Sequence, residues 1–138
     1  MDKILNSGRY IFPLSFLLYA GLHLGKPDVG AAFVPDFMPF PYFWNYFTLV
    51  CILLFIISAV IGKYDKLAYC LMALYVILMA FLVHLPRAMG HELDVAAMTA
   101  NYDREKELEM VNFFRNMMLT GALCAFAKFV AKDKQIIG

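Results

Sequence analysis

Six polar residues stand near the ends of long apolar stretches, and their types suit the binding of a small ligand: Tyr19, His23, His84, Arg87, Arg115 and Asn116. Imidazole and phenol groups donate hydrogen bonds to the carbonyl oxygens of a quinone, whereas a guanidinium group binds a small anion. Two histidines at one depth between helices are also what a bis-histidine haem requires. Between these two cofactors we expect a quinone rather than haem. A small anion remains open as an alternative ligand. No metal site is expected.

The apolar stretches that carry these residues are long enough to cross a lipid bilayer. Apolar residues make up 62% of the chain, and charged residues make up 17%, against about 25% in ordinary soluble domains. A membrane-spanning helix needs roughly 20 apolar residues. We therefore predict a single domain, residues 1–138, with spans at 9–25, 42–61, 67–85 and 111–130. Outer loops are expected at residues 26–41 and 86–110. The net charge of +1 gives no indication of nucleic-acid binding.

The distribution of charge predicts the orientation of these spans. With four crossings, both termini and the turn at residues 62–66 share one side, which carries seven Lys or Arg and three Asp, a net +4. The other side has five Lys or Arg and eight acids, a net −3. Because cytoplasmic loops are enriched in Lys and Arg, both termini are predicted to be cytoplasmic. The predicted protein belongs to the all-α class. It is an integral membrane four-helix bundle with cytoplasmic amino and carboxyl termini, a multi-pass protein of the bacterial inner membrane.

Helical spacing predicts which faces pack and which line a pocket. Ala73 and Ala80 fall on one stripe of the third span with His84 and Arg87, and Gly121 and Ala125 form a small-residue pair on the fourth. Small residues let neighbouring helices approach closely. We expect these four small residues to serve helix packing. The six polar residues are expected to line a pocket near the extracytoplasmic interface, and the cytoplasmic half is expected to hold no comparable polar group. For Arg87 and Lys26 a structural role, in which they cap helix ends or contact lipid head groups, also remains open.

Two other features are expected to carry no chemistry. Cys51, Cys70 and Cys124 all lie inside predicted spans without a C-x-x-C pair, which argues against a four-helix thiol oxidoreductase. The acidic run Asp103–Glu109 is predicted to form a solvated helix face, with Asn101 capping its amino end.

The order of several motifs resembles the DoxX family of small bacterial four-helix membrane proteins over nearly the whole chain. The motifs are Arg9, the run FLLYAGLHLGKP from Phe16, GKYDKLA from Gly62, VHLPR from Val83, NFFRN from Asn112, and Gly121. The resemblance implies a membrane-embedded bundle associated with redox systems, such as a subunit of thiosulfate:quinone oxidoreductase. The chain departs from a common family pattern, because no glutamate stands in Leu49–Ile52 of the second span. A proton-relay role that rests on that carboxylate is therefore not expected.

The leading hypothesis is an accessory or quinone-interacting subunit of an inner-membrane redox assembly, rather than a self-sufficient enzyme. The alternative is a non-catalytic scaffold or interaction subunit of a larger membrane complex, for which the small-residue faces matter more than the histidines. A small-solute carrier, acting as an oligomer, is the third hypothesis. The expected partners are the lipid bilayer and other membrane protein subunits, with homo-oligomers also open.

The topology is tested by protease protection in spheroplasts. Epitope tags at the amino and carboxyl termini are both expected to survive external protease until the membrane is permeabilised, because the cation excess places both ends inside. A tag inserted between Pro27 and Pro41 is the matched control and is expected to be digested at once. Termini found on opposite sides would contradict the four-span topology.

Overall fold

Every regular element is helical in the residues that the computed structural model describes, which are 2–91, 102–133 and 136–137. This confirms the predicted all-α class for that part of the chain. The helices are α1 Asp2–Ser15, α2 Leu17–Gly25, α3 Pro27–Ala31, α4 Pro41–Ile61, α5 Asp65–Met79, α6 Leu85–Ala88 and α7 Tyr102–Phe129, with a π-helical segment Ala80–His84 between α5 and α6.

Within the part of the chain that the structure describes, two helices are long and apolar enough to cross a membrane. One is α4, and the other is the continuous helix Asp65–Ala88, with mean hydropathy values of 2.2 and 2.3. Local signals explain the bounds of α4. Pro41 occupies the first turn, where its missing N–H group is not needed. Gly62 ends the helix in the left-handed conformation with φ of 78°, and its N–H group donates to Ser58 O.

The first predicted span is interrupted. α1 and α2 are separate helices that meet at Phe16, three residues after Pro13, and the helix begins well before residue 9. A proline inside a helix removes one backbone hydrogen bond and its ring crowds the preceding turn. The Phe16 N–H group donates to Pro13 O, as in a tight turn. The apolar length of the segment did not predict this break.

The third predicted span contains the π-helical segment Ala80–His84. The Leu85 N–H group donates to Ala80 O, five residues earlier, instead of four. Pro86 lies immediately beyond and has no N–H group for an α-helical bond, so the wider turn relieves the crowding that its ring would cause. His84 therefore leaves the helix at an angle that uniform α-helical spacing does not give.

The core lies where α1 and α2 meet α4, α5 and α7. The rings of Phe12 and Phe126 stack with centroids 4.3 Å apart, and the rings of Phe16 and Phe55 meet edge to face at 4.9 Å. Ala73 and Ala80 are buried, and α5 packs along α7. Gly121 and Ala125 instead lie on the exposed face of α7, and a Cβ atom at Gly121 would meet nothing within 4 Å.

The predicted outer loops are partly helical. α3 lies inside the predicted loop 26–41, and α6 and the first turns of α7 lie inside 86–110. α7 begins at Tyr102, nine residues before the predicted span. Asn101, the predicted helix cap, lies outside the described residues.

A buried carboxylate ties the end of α7 to the turn between α4 and α5. Asp65, 1% exposed, accepts hydrogen bonds from the N–H groups of Lys132 at 2.8 Å and Asp133 at 2.9 Å. The Tyr64 N–H group in turn donates to Asp133 Oδ2 at 2.9 Å, and the Arg9 guanidinium lies 3.7 Å from Asp65 Oδ2. The expectation that this end of the molecule holds no polar group comparable to the candidate pocket is therefore wrong.

The Asp65→Asn variant tests this tie. It is expected to lower the free energy of unfolding by about 2 kcal/mol, because an amide places an N–H donor against backbone donors and removes the charge that Arg9 faces. Chemical unfolding in detergent micelles measures the loss. Asp36→Asn, at an exposed position, is the matched control and should change stability little. Equal stability of the two variants would contradict the assigned role.

Candidate functional site

A cavity of about 380 Å³ lies between the helices at the end opposite Asp65. Its apolar walls include Phe16, Ile52, Met72 and Val76 from the core. Its polar residues are Tyr19, His23, Lys26, Asn45, Thr48, Tyr75, His84, Asn112, Arg115 and Asn116. Cavities of this volume, apolar with a few polar groups, are typical of sites for small organic ligands.

Five of the six predicted pocket residues line this cavity. Tyr19 and His23 come from α2, His84 from the π-helical segment, and Arg115 and Asn116 from α7. Arg87, the sixth, is not in the cavity wall. Its Nη1 atom donates to Ala32 O at 3.2 Å, and its guanidinium carbon lies 4.8 Å from the centre of the Phe33 ring. Arg87 therefore holds the segment after α3 in place, and Phe33 in that segment does line the cavity.

A buried carboxylate that the sequence analysis assigned to solvent organises one wall. Glu109 is 4% exposed, and its Oε2 atom lies 2.6 Å from His84 Nδ1. Arg87 Nε donates to Glu109 Oε1 at 3.2 Å, and Asn112 Nδ2 donates to Oε2 at 3.4 Å. The prediction of a solvated face for Asp103–Glu109 is therefore wrong at Glu109. These four residues, His84, Arg87, Glu109 and Asn112, are called the Glu109 cluster below.

The charges and hydrogen bonds of the Glu109 cluster outweigh the effect of burial on the pKa of Glu109. Burial by itself raises the pKa of Glu109, but the hydrogen bond and charge of His84, the hydrogen bond from Asn112 and the charge of Arg87 hold that pKa below its ordinary value of 4.5. Glu109 is therefore ionised at neutral pH and accepts all three hydrogen bonds as a carboxylate.

A second pair of residues, His23 and Asn45, fixes the orientation of the other histidine in the cavity wall. His23 Nδ1 lies 2.6 Å from Asn45 Oδ1, and Asn45 Nδ2 donates to the backbone oxygen of His23 at 3.0 Å. Asn45 is 1% exposed. An ideal Cβ atom at Gly30 would fall 1.8 Å from Asn45 Oδ1, so only glycine lets α3 approach this pair.

Arg115 lies where the cavity reaches the surface. Its Nη2 atom donates to Asn112 Oδ1 at 2.6 Å, which connects it to the Glu109 cluster, and its side chain is exposed. Asn116, one residue further along α7, is 8% exposed. The guanidinium group of Arg115 retains further N–H donors for a ligand oxygen.

Sequence reasoning missed several residues of the site, among them Asn45 and Glu109. A signal for Glu109 was present, since Glu109, Asn112 and Asn116 follow each other at helical spacing on one face of α7. Asn45 stands alone among apolar and aromatic residues, and an amide in such a segment needs a buried partner. In the described residues no group of three or more His, Cys, Asp or Glu side chains is placed to hold a metal ion.

Comparisons of the chain with protein family models, with curated proteins and with solved structures find no match. The chemistry of the cavity is therefore the basis for the functional argument.

The pH dependence of stability tests the Glu109 cluster. A carboxylate with a lowered folded-state pKa stabilises the folded state above its ordinary value of 4.5, and that stabilisation is lost as the pH falls through the lowered value. Glu109→Gln is thus expected to melt below the unmodified protein at pH 7, and the gap should close as the pH falls below 4.5. Thermal unfolding over a pH series measures it.

Glu107→Gln is the matched control, an exposed glutamate on the same helix. It should show no gap that depends on pH. A Glu109→Gln gap that stays constant across the series would contradict the ionised cluster.

Proposed function

We propose that this chain is a DoxX-like, multi-pass protein of the bacterial inner membrane that binds a quinone in the cavity. In this proposal it is a four-helix bundle with both termini in the cytoplasm, and it serves as an accessory subunit of a redox assembly. The observation that carries the proposal is the cavity of about 380 Å³, apolar in its depth and lined by His23, His84 and Arg115 at one end.

Apolar side chains on the molecular surface support a lipid environment. Large apolar residues point outward from each long helical region, with exposed fractions of 76% for Leu18, 59% for Leu54, 57% for Leu71 and 71% for Met118. A soluble monomer rarely exposes apolar surface on all sides, because water disfavours it. Lipid tails remove this cost. The two long apolar helices, α4 and Asp65–Ala88, support the same environment.

The arrangement of polar groups suits a quinone better than a purely apolar ligand. A quinone has a flat ring that packs against aromatic walls and oxygens that need polar partners. Phe16, Phe33 and Trp44 supply aromatic wall area, and Arg115 and Asn116 supply N–H donors near the surface. An apolar tail would run over core-facing residues such as Ile52 and Val76.

A scaffold role is the second candidate, and it rests on a different observation. Gly121 and Ala125 lie on an exposed face of α7, where a Cβ atom at Gly121 would meet nothing within 4 Å. In lipid such small residues allow close contact with a helix of another subunit or of a second copy. The two roles are compatible, since this face lies outside the cavity.

Quinone binding is testable through the single tryptophan of the chain. Trp44 lines the cavity, so a bound quinone is expected to quench its fluorescence in a saturable manner. Arg115→Ala is expected to weaken binding of tetramethylbenzoquinone about tenfold or more, because it removes a hydrogen bond from a charged donor to a carbonyl oxygen. Titration of the protein in lipid nanodiscs measures the dissociation constant.

His91→Ala and Arg104→Ala are the matched controls, because both side chains are exposed and neither lines the cavity. Both should bind tetramethylbenzoquinone as the unmodified protein does. If Arg115→Ala folds and still binds tetramethylbenzoquinone with unchanged affinity, the proposed quinone site is wrong.

A further inference from the structure

The hydrogen bond that Glu109 accepts determines which nitrogen of His84 carries a proton. An ionised carboxylate only accepts hydrogen bonds, so the His84 Nδ1 atom, 2.6 Å from Glu109 Oε2, must be the donor. The neighbouring Arg87 already balances the charge of Glu109, with Nε to Oε1 at 3.2 Å. When the imidazole is neutral with its proton on Nδ1, the other nitrogen, Nε2, is an acceptor, whereas the charged imidazole that lowers the pKa of Glu109 has no acceptor nitrogen.

The amide of Asn45 imposes the same tautomer on His23. The backbone oxygen of His23 can only accept, so the Asn45 group that faces it must be the NH₂ group. The Asn45 oxygen then faces His23 Nδ1 at 2.6 Å, and that nitrogen must donate. His23 is thereby left with Nε2 as an acceptor. The hydrogen bonds of these two imidazole rings to other described residues involve Nδ1.

Two acceptor nitrogens therefore belong to histidines in the wall of one cavity, and a bound ligand has to match them. A hydroquinone carries hydroxyl groups that donate, whereas a quinone carries carbonyl oxygens that only accept. A carbonyl oxygen placed against Nε2 would leave both acceptors unpaired in a largely apolar cavity, which is costly.

We propose that the cavity selects the reduced, hydroquinone form of its ligand, with hydroxyl groups donating to Nε2 of His23 and His84. This inference rests on the proposed quinone site and names which redox form that site favours. Glu109 and Asn45 act as positioning residues, since each fixes the tautomer of a histidine. Arg115 lines the same cavity and supplies a donor to a ligand oxygen.

Binding of two matched ligands tests the selectivity. At pH 8 and without oxygen, the unmodified protein is expected to bind tetramethylhydroquinone at least about tenfold more tightly than tetramethylbenzoquinone, as measured by calorimetry in nanodiscs. His84→Phe and His23→Phe keep a ring of similar size but lose the acceptor, so each is expected to reduce this ratio. His91→Phe, at the exposed histidine, should keep it.

A second measurement needs no variant. The chain has three histidines, and the nitrogen-15 spectrum of the imidazoles distinguishes protonated from unprotonated nitrogens. His23 and His84 are expected to show a protonated Nδ1 and an unprotonated Nε2, whereas exposed His91 serves as the internal reference. Protonation at Nε2 of both cavity histidines would overturn the inference, whatever the variants do.

The outcomes separate the two proposals. If neither ligand binds, the quinone site itself is wrong, and the selectivity falls with it. If both ligands bind with equal affinity and the histidine variants leave the ratio unchanged, the quinone site stands and only the preference for hydroquinone is overturned.

Discussion

The carboxylate of Glu109 has to be compensated, because an ionised group at 4% exposure has lost most of its contact with solvent. Compensation comes from the helix Asp65–Ala88, through His84 and Arg87, and from α7 itself, through Asn112. Arg87 then reaches Ala32 O after α3, and Arg115 reaches Asn112. A single buried charge therefore places three separate parts of the chain around the cavity. The hydrogen bonds that Glu109 accepts therefore determine which donor and acceptor groups the cavity presents to a ligand.

Asp65 meets the same requirement at the other end of the helices by a different route. Its partners are mainly backbone N–H groups of Lys132 and Asp133, with the Arg9 guanidinium further away at 3.7 Å. The two buried carboxylates thus fix opposite ends of the contact between Asp65–Ala88 and α7. Between them, α5 and α7 pack through apolar side chains and through Ala73, which carry no directional bonds. The hydrogen bonds at the two ends therefore determine how α5 and α7 are aligned, since the apolar contacts between them are compatible with more than one alignment.

Residue patterns were sufficient for much of the fold and for part of the cavity. Apolar length locates α4 and Asp65–Ala88, and the depth of His23 and His84 in the sequence predicts that they share a site with Asn116. Glu109 was missed because it closes a run of acids that look alike in the sequence. Its helical spacing with Asn112 and Asn116 marks one face of α7, but its contacts with His84 and Arg87 are what distinguish it from the other acids. Asp65 was equally hidden, since backbone partners 67 and 68 residues away leave no side-chain signature. The break at Phe16 was likewise not predictable from the length of the apolar run around it.

The π-helical segment Ala80–His84 divides one continuous rod into two parts with separate orientations. Each additional residue in a helical turn rotates everything beyond it by about 100° relative to a regular α-helix. The face that Tyr69 and Met72 bury in the core and the face that carries His84 and Arg87 are therefore aligned by this short segment rather than by the pitch of the whole helix. The core-facing residues of this helix and the face that carries His84 and Arg87 can therefore change independently in sequence, as long as the π-helical segment between them keeps its length.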